Sequence, residues 1–289
     1  MEEKRARQKA KAAMAEDIEL TPQMSARDAF GEIVHECLRQ YQANAALLKK
    51  GHSVEVLHQA RVALRRLRSL LSAFRPVLRR GARQRLNDEL RWLTGEYGAV
   101  RDIDVLLPLL KGKQLRMAKD MRDERFGHLL RTLSGHRASD LPDALVQWVD
   151  AENPIRKSKC GVDVGGCARQ AFDTLFGQLK RTDPDLASLS ADERHKLRKQ
   201  VKKLRYATGF FASLYEKGRP HKRRSLFMDD LKLLQDRLGE LNDMAVRPVL
   251  IQELGLAVQF AASEGDHDAL LKEAGAALAG LVGCKPFWR

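Results

Sequence analysis

The chain has 289 residues, 44% of them hydrophobic, which suffices for one large domain or two of ordinary size with a substantial core. Its 52 Lys and Arg outnumber 38 Asp and Glu, and the net charge of +14 argues against a cationic partner and for a polyanion or an anionic surface. No apolar run reaches the ~18 residues of a membrane span, so the expectation is a protein with no membrane partner.

The N-terminal residues 1–20 are charged and alanine-rich. They read as an extension, a solvated helix or a mobile tail, with no assigned function. Met1-Glu2-Glu3-Lys4-Arg5 begins no apolar segment of a signal peptide, which leads to the expectation of a cytoplasmic protein. Cys37, Cys160, Cys167 and Cys284 have no paired metal spacing and read as reduced thiols; no metal site and no cofactor is expected.

From Ser25 the helical period dominates. Ser25 reads as an N-cap, and Phe30, Ile33, Val34, Cys37, Leu38 and Tyr41 recur at helical spacing. Gly51-His52-Ser53 breaks that helix, and a second begins at Val54. Its apolar seam is Leu57, Ala60, Leu64, Leu67, Leu71, Phe74 and Leu78. One residue out of phase run His58, Arg61, Arg65 and Arg68, at spacings of three, four and three. At ~3.6 residues per turn the seam and the charged row are adjacent faces of one cylinder, so burying the seam aims the charges. A third helix is expected from Ala82 to Tyr97, a fourth from near Asp102 and Asp104, and others over Gln114 to Leu133 and Leu141 to Val149. β-branched alternation is absent, so the fold class is all-α. Asn153-Pro154 through Gly165-Gly166 is the best boundary, with Arg156-Lys157-Ser158-Lys159 as a solvated basic linker.

The second half replays the first. His195, Arg198, Lys202 and Arg205 repeat the spacing of the first row. Arg27-Asp28-Ala29-Phe30 is answered by Arg169-Gln170-Ala171-Phe172, and the segment from Leu90 to Val105 by that from Leu231 to Val246. The offsets are 137 at the histidines, 141 at Gly98 and Gly239, and 142 at Arg27 and Arg169. Three matched helices in one order predict a tandem duplication: two helical bundles, 21–155 and 156–289, related by a pseudo-two-fold axis around a basic channel or cleft. Lys217-Gly218-Arg219-Pro220 and the cations after it read as a loop.

An aligned row makes a site where scattered lysines make a soluble surface. Guanidinium forks donate paired hydrogen bonds to one phosphate, and Lys202, Lys203 and Lys232 can follow an anionic chain as point charges. A histidine beside arginines resists protonation until an anion arrives. Arg91 matches Lys232 and Arg27 matches Arg169, which places these four in the candidate set. Asp102, Asp104 and Asp243 read as helix caps or anchors for basic side chains. No P-loop, nucleophile–base pair or carboxylate metal cluster appears, so no catalytic residue is assigned.

The pattern His58-x-x-Arg61-Val62-x-x-Arg65-Arg66-Leu67-Arg68, with Phe74 after it, resembles the CHAD family, named for its histidine-bearing α-helical domain. So does the second copy, His195-x-x-Arg198-x-x-x-Lys202-Lys203-Leu204-Arg205-Tyr206, with Phe211 after it. The ends Arg101-Asp102 and Asn242-Asp243 fit as well, and the resemblance covers nearly everything from Ser25 onward. It implies two helical bundles enclosing a basic channel, binding of inorganic polyphosphate, and association with polyphosphate granules. Arg66 and Lys203 join the candidate set through this motif. Lys199 departs from the aliphatic usual after Arg198 and adds a charge. Some members carry a CYTH domain with an E-x-E-x-K signature, which is absent here. The expectation is a free-standing, non-catalytic binder. A general nucleic-acid-binding helical protein is the alternative, with only 6% aromatic residues for base stacking; a polyphosphate-metabolising enzyme stands third.

Overall fold

A computed structural model describes residues 11–258 and 264–289. Its helices are α1 (Ala26–Leu48), α2 (Val54–Ala73), α3 (Arg80–Leu106), α4 (Gly112–Ser134), α5 (His136–Ser139), α6 (Leu141–Asp150), α7 (Val164–Leu179), α8 (Ala191–Phe210), α9 (Gly218–Glu253) and α10 (Glu264–Gly283). No strand occurs among the described residues.

The helix starts follow from their capping residues. Ser25 accepts a hydrogen bond from the Asp28 amide, Ser53 from Val56, and Asp163 from Gly166. α8 begins with a capping box in which Ser190 and Glu193 satisfy each other's backbone amides. These caps matter most for α2 and α8, because they start the two charged rows at defined turns.

The seam read along α2 is buried throughout, from Leu57 to Leu78. It joins a continuous core that draws on both halves of the chain. Phe74 and Phe211, the aromatics that follow the two rows, meet with ring centroids 5.6 Å apart. Phe74 also touches Phe30 at 5.2 Å, and Phe211 touches Phe172 at 5.7 Å. This chain of rings fixes where α2 and α8 end against each other, and such pairs add ~0.5–1.5 kcal/mol each beyond area burial. A smaller cluster of Ile103, Leu106, Leu110, Ile251 and Leu254 joins the end of α3 to the end of α9.

Three local expectations are corrected. α3 runs unbroken through Gly98 to Leu106, where two helices were expected. Leu90, Leu93, Tyr97, Val100 and Ile103 carry the buried period across the glycine, and that burial outweighs its helical cost of ~1 kcal/mol. Asp102 and Asp104 therefore cap no helix start. Residues 218–224 form the first turns of α9 and no loop; Gly218 takes a left-handed φ of +67°, and Pro220 falls in the opening turn, where its missing N–H costs nothing. Residues 156–158 are exposed, as expected of a solvated linker, and Arg156 is in addition tethered, its Nε donating to the Leu78 carbonyl at 2.7 Å. Residues 11–20 form no helix. They lie extended over the bundle, with Ile18 and Leu20 buried and Asn44 bonded to both backbone groups of Ala13 at 3.0 and 2.8 Å.

Candidate functional site

α2 packs directly on α8. The two charged rows thereby line one cleft of about 530 Å³, with His58, Arg61, Arg65 and Arg68 from α2 and Arg198, Lys199 and Lys202 from α8. Arg101, Asp102, Asn242 and Asp243, from the ends of the later helices, complete its walls. Toward the C-terminal ends of α2 and α8 it continues into a second space of about 570 Å³, which shares Arg65, Arg68, Lys199 and Lys202. Arg65 and Lys202 also line a third space with Arg205, Tyr206 and Arg224. The residues at the third position of each row therefore stand at the junction of the system.

The electrostatics are those of a crowded, partly buried cationic site. The buried Nε atoms of Arg61, Arg68 and Arg198 have no hydrogen-bond partner among the described residues, although an unsatisfied buried donor costs ~1–3 kcal/mol. Burial, with Arg65, Arg198 and Arg61 beside it, pushes the Lys202 ammonium down to about 6. Lys203 is lowered by burial and by Arg68, Arg75 and Lys199. His58 is lowered by partial burial and then by Arg101, as the sequence reading expected of a histidine among arginines. Asp102 is raised by desolvation, against the pull of Arg61, Arg125 and Arg101. His195 does not line this cleft: it borders a neighbouring pocket with Leu238, Leu241 and Met244, where its Nδ1 faces Asn242 Oδ1 at 2.9 Å.

The family model of the CHAD domain matches residues 32–252, well over half of the chain. The chain belongs to the CHAD family. Its fold is similar to the crystal structure of the CHAD domain from the plant Ricinus communis, with a TM-score of 0.75 and 28% identity over 93% of this chain and 91% of that one. It is also similar in fold to PptA from Streptomyces chartreusis, with a TM-score of 0.59 and 17% identity over 90% of this chain and 98% of that one. No curated protein matches the sequence.

Within this CHAD domain the remaining candidates divide. Arg66 is absent from the first two spaces and borders the third, where it pairs with Glu36 at 2.8 Å and donates to Gln40 at 2.9 Å, and both partners are buried. Arg91 is exposed and lines the second space. Arg205 is exposed at the third. Lys232 is exposed on α9 outside the cleft walls. Arg27 is also outside them, where it donates to the Asp150 carbonyl at 3.1 Å, and Arg169 lies beside Gly165 and Gly166. Asp104 is buried in an anchor of its own, facing His52 at 3.1 Å and Arg122 at 3.6 Å.

Sequence reasoning missed Arg75 and Arg83, which line the second space, and Arg224. Arg75 lies seven residues past Arg68 and continues the α2 row, a signal that the spacing did carry; Arg83 and Arg224 lie in register with neither row.

Proposed function

We propose that this CHAD protein binds inorganic polyphosphate without catalysis, seating one chain between α2 and α8. The observation that carries the reading is the pair of rows facing one cleft with the Arg61, Arg68 and Arg198 donors unpaired. Phosphate oxygens are acceptors only, carry charge at every repeat, and suit guanidinium forks. An arriving chain offsets the repulsion among Arg61, Arg65 and Arg198 and lets Lys202 and His58 take up protons. Both groups are lowered in the free protein, so binding raises them and is favoured at lower pH.

In this reading the halves 21–155 and 156–289 are tandem copies about a pseudo-two-fold axis. The contact between Phe74 and Phe211, at matched positions, supports that arrangement. The consequence in the cell is attachment to polyphosphate granules in the cytoplasm. Nucleic acid is the weaker candidate partner, since Tyr206 is the single aromatic lining the first two spaces and offers little for stacking. Reversing charge at Arg65 together with Lys202 tests the proposal. Polyphosphate affinity is expected to collapse, and retained affinity in the folded variant would remove the cleft as the site.

A further inference from the structure

The two ends of the basic cleft differ in charge. The end near His58 holds carboxylates, Asp102 and Asp243, among its cations. The space at the other end is lined by Arg68, Arg75, Arg83, Arg91, Lys199 and Lys203, with no carboxylate in its lining; Asp88, 3.9 Å from Arg91, stands behind it. Its neutral lining includes Gln178 from α7. At the offset of 142 that aligns Arg27 with Arg169, Gln178 answers Glu36, the acid that neutralises Arg66 in the first half. The second half thus has an amide where the first has a carboxylate, and Lys203, which answers Arg66, faces the space unneutralised.

The crowding here is severe. The buried Nε atoms of Arg68 and Arg83 have no partner among the described residues. Arg83 is lowered by desolvation and then by Arg75, Arg156 and Arg80, so four arginines gather where α2 hands over to α3. α3 starts there with no capping side chain and no acid in its first turn, which leaves its positive end unopposed. This density of charge exceeds what one internal phosphate, with roughly one negative charge, would neutralise. A terminal phosphate keeps a second ionisable proton, lost near pH 6 in phosphate monoesters, and carries three free oxygens.

We propose that the carboxylate-free space around Arg75 and Arg83 seats the doubly charged terminal phosphate of a polyphosphate chain, so that the chain enters end-first and lies along the rows in one direction. The inference rests on the polyphosphate reading above and adds an end-specific subsite to it.

The test compares a short linear polyphosphate with the same chain alkyl-esterified at both terminal phosphates, which removes the second charge and keeps the repeat. Titrations are run on the full chain and on its Arg75→Gln/Arg83→Gln and Arg61→Gln variants, with folding checked by thermal melts. The wild type is expected to prefer the open chain about tenfold, the scale of one charge-assisted hydrogen bond. The Arg75→Gln/Arg83→Gln variant is expected to bind both forms alike, while Arg61→Gln weakens both and keeps the preference. Equal binding of both chains by the wild type overturns the end-first seat, and so does a preference that survives in Arg75→Gln/Arg83→Gln. Failure of both chains to bind would instead sink the polyphosphate reading itself.

Discussion

The two charged helices share a spacing and differ in chemistry at three matched pairs of positions. In α2 the third position is the guanidinium of Arg65; in α8 it is Lys202, whose ammonium burial and the arginines push down to about 6. At the next position Arg66 is buried and neutralised by Glu36, whereas Lys203 faces the cleft with Gln178 nearby. At the first position His58 stands among cations, while His195 is fixed by Asn242. After His58 the α2 row is arginine only, whereas the α8 row sets Lys202, whose charge depends on pH and ligand, between Arg198 and Arg205. A matched pattern conserves geometry without conserving role.

The largest effect separates Arg66 from Lys203. Arg66→Met leaves Glu36 buried without its cation and is expected to cost ~3–5 kcal/mol in denaturant melts, while Lys203→Met costs little stability and weakens polyphosphate binding. Similar stability in the two variants would erase this distinction. Next, Arg65→Glu and Arg198→Glu are each expected to lower polyphosphate affinity about 100-fold, since each replaces charge-assisted hydrogen bonds by repulsion. A loss confined to one of them would mean that the ligand touches a single wall.

Lys202 sharpens the comparison further. Its lowered value in the free protein rises when an anion binds, so the linked affinity is fully present below about 6 and falls as pH rises above it, by at most about tenfold per pH unit. Lys202→Arg should flatten that slope in titrations across neutral pH; an unchanged slope would assign the proton to another group. The smallest effect is on the free protein. Lys202→Met removes a desolvated cation and is expected to raise Tm by a few degrees. The depressed base opposes folding below its unfolded value, so this gain shrinks as pH rises toward that of an ordinary lysine.

Much of the site was legible because a helix converts spacing into direction. The buried seam of α2 left its charged row one way to face, and the replay in α8 supplied the opposite wall. The position of Arg66 was not legible: in a helix this rich in arginine, spacing does not say which guanidinium meets a buried acid, and Glu36 lies on another helix. Arg83 enters through the fold at the start of α3, out of register with any row, whereas Arg75 continues the α2 row seven residues past Arg68, just beyond the end of that helix. The break expected after Tyr97 came from reading Gly98 as punctuation, when the buried period from Leu90 to Ile103 carries the helix across it. Residues 11–20 gave no periodic signal because they are held by backbone contacts to Asn44 and Ser213.

The most direct test is a titration of the protein with long-chain polyphosphate and with duplex DNA of equal charge at ~150 mM salt, where the Debye length is ~8 Å and loose long-range attraction is damped. Tight polyphosphate binding beside weak DNA binding is the predicted result and would mean that the two rows form a shaped phosphate cleft. Equal, weak binding of both would mean that the charge is generic, and would contradict the proposed function while leaving the fold intact.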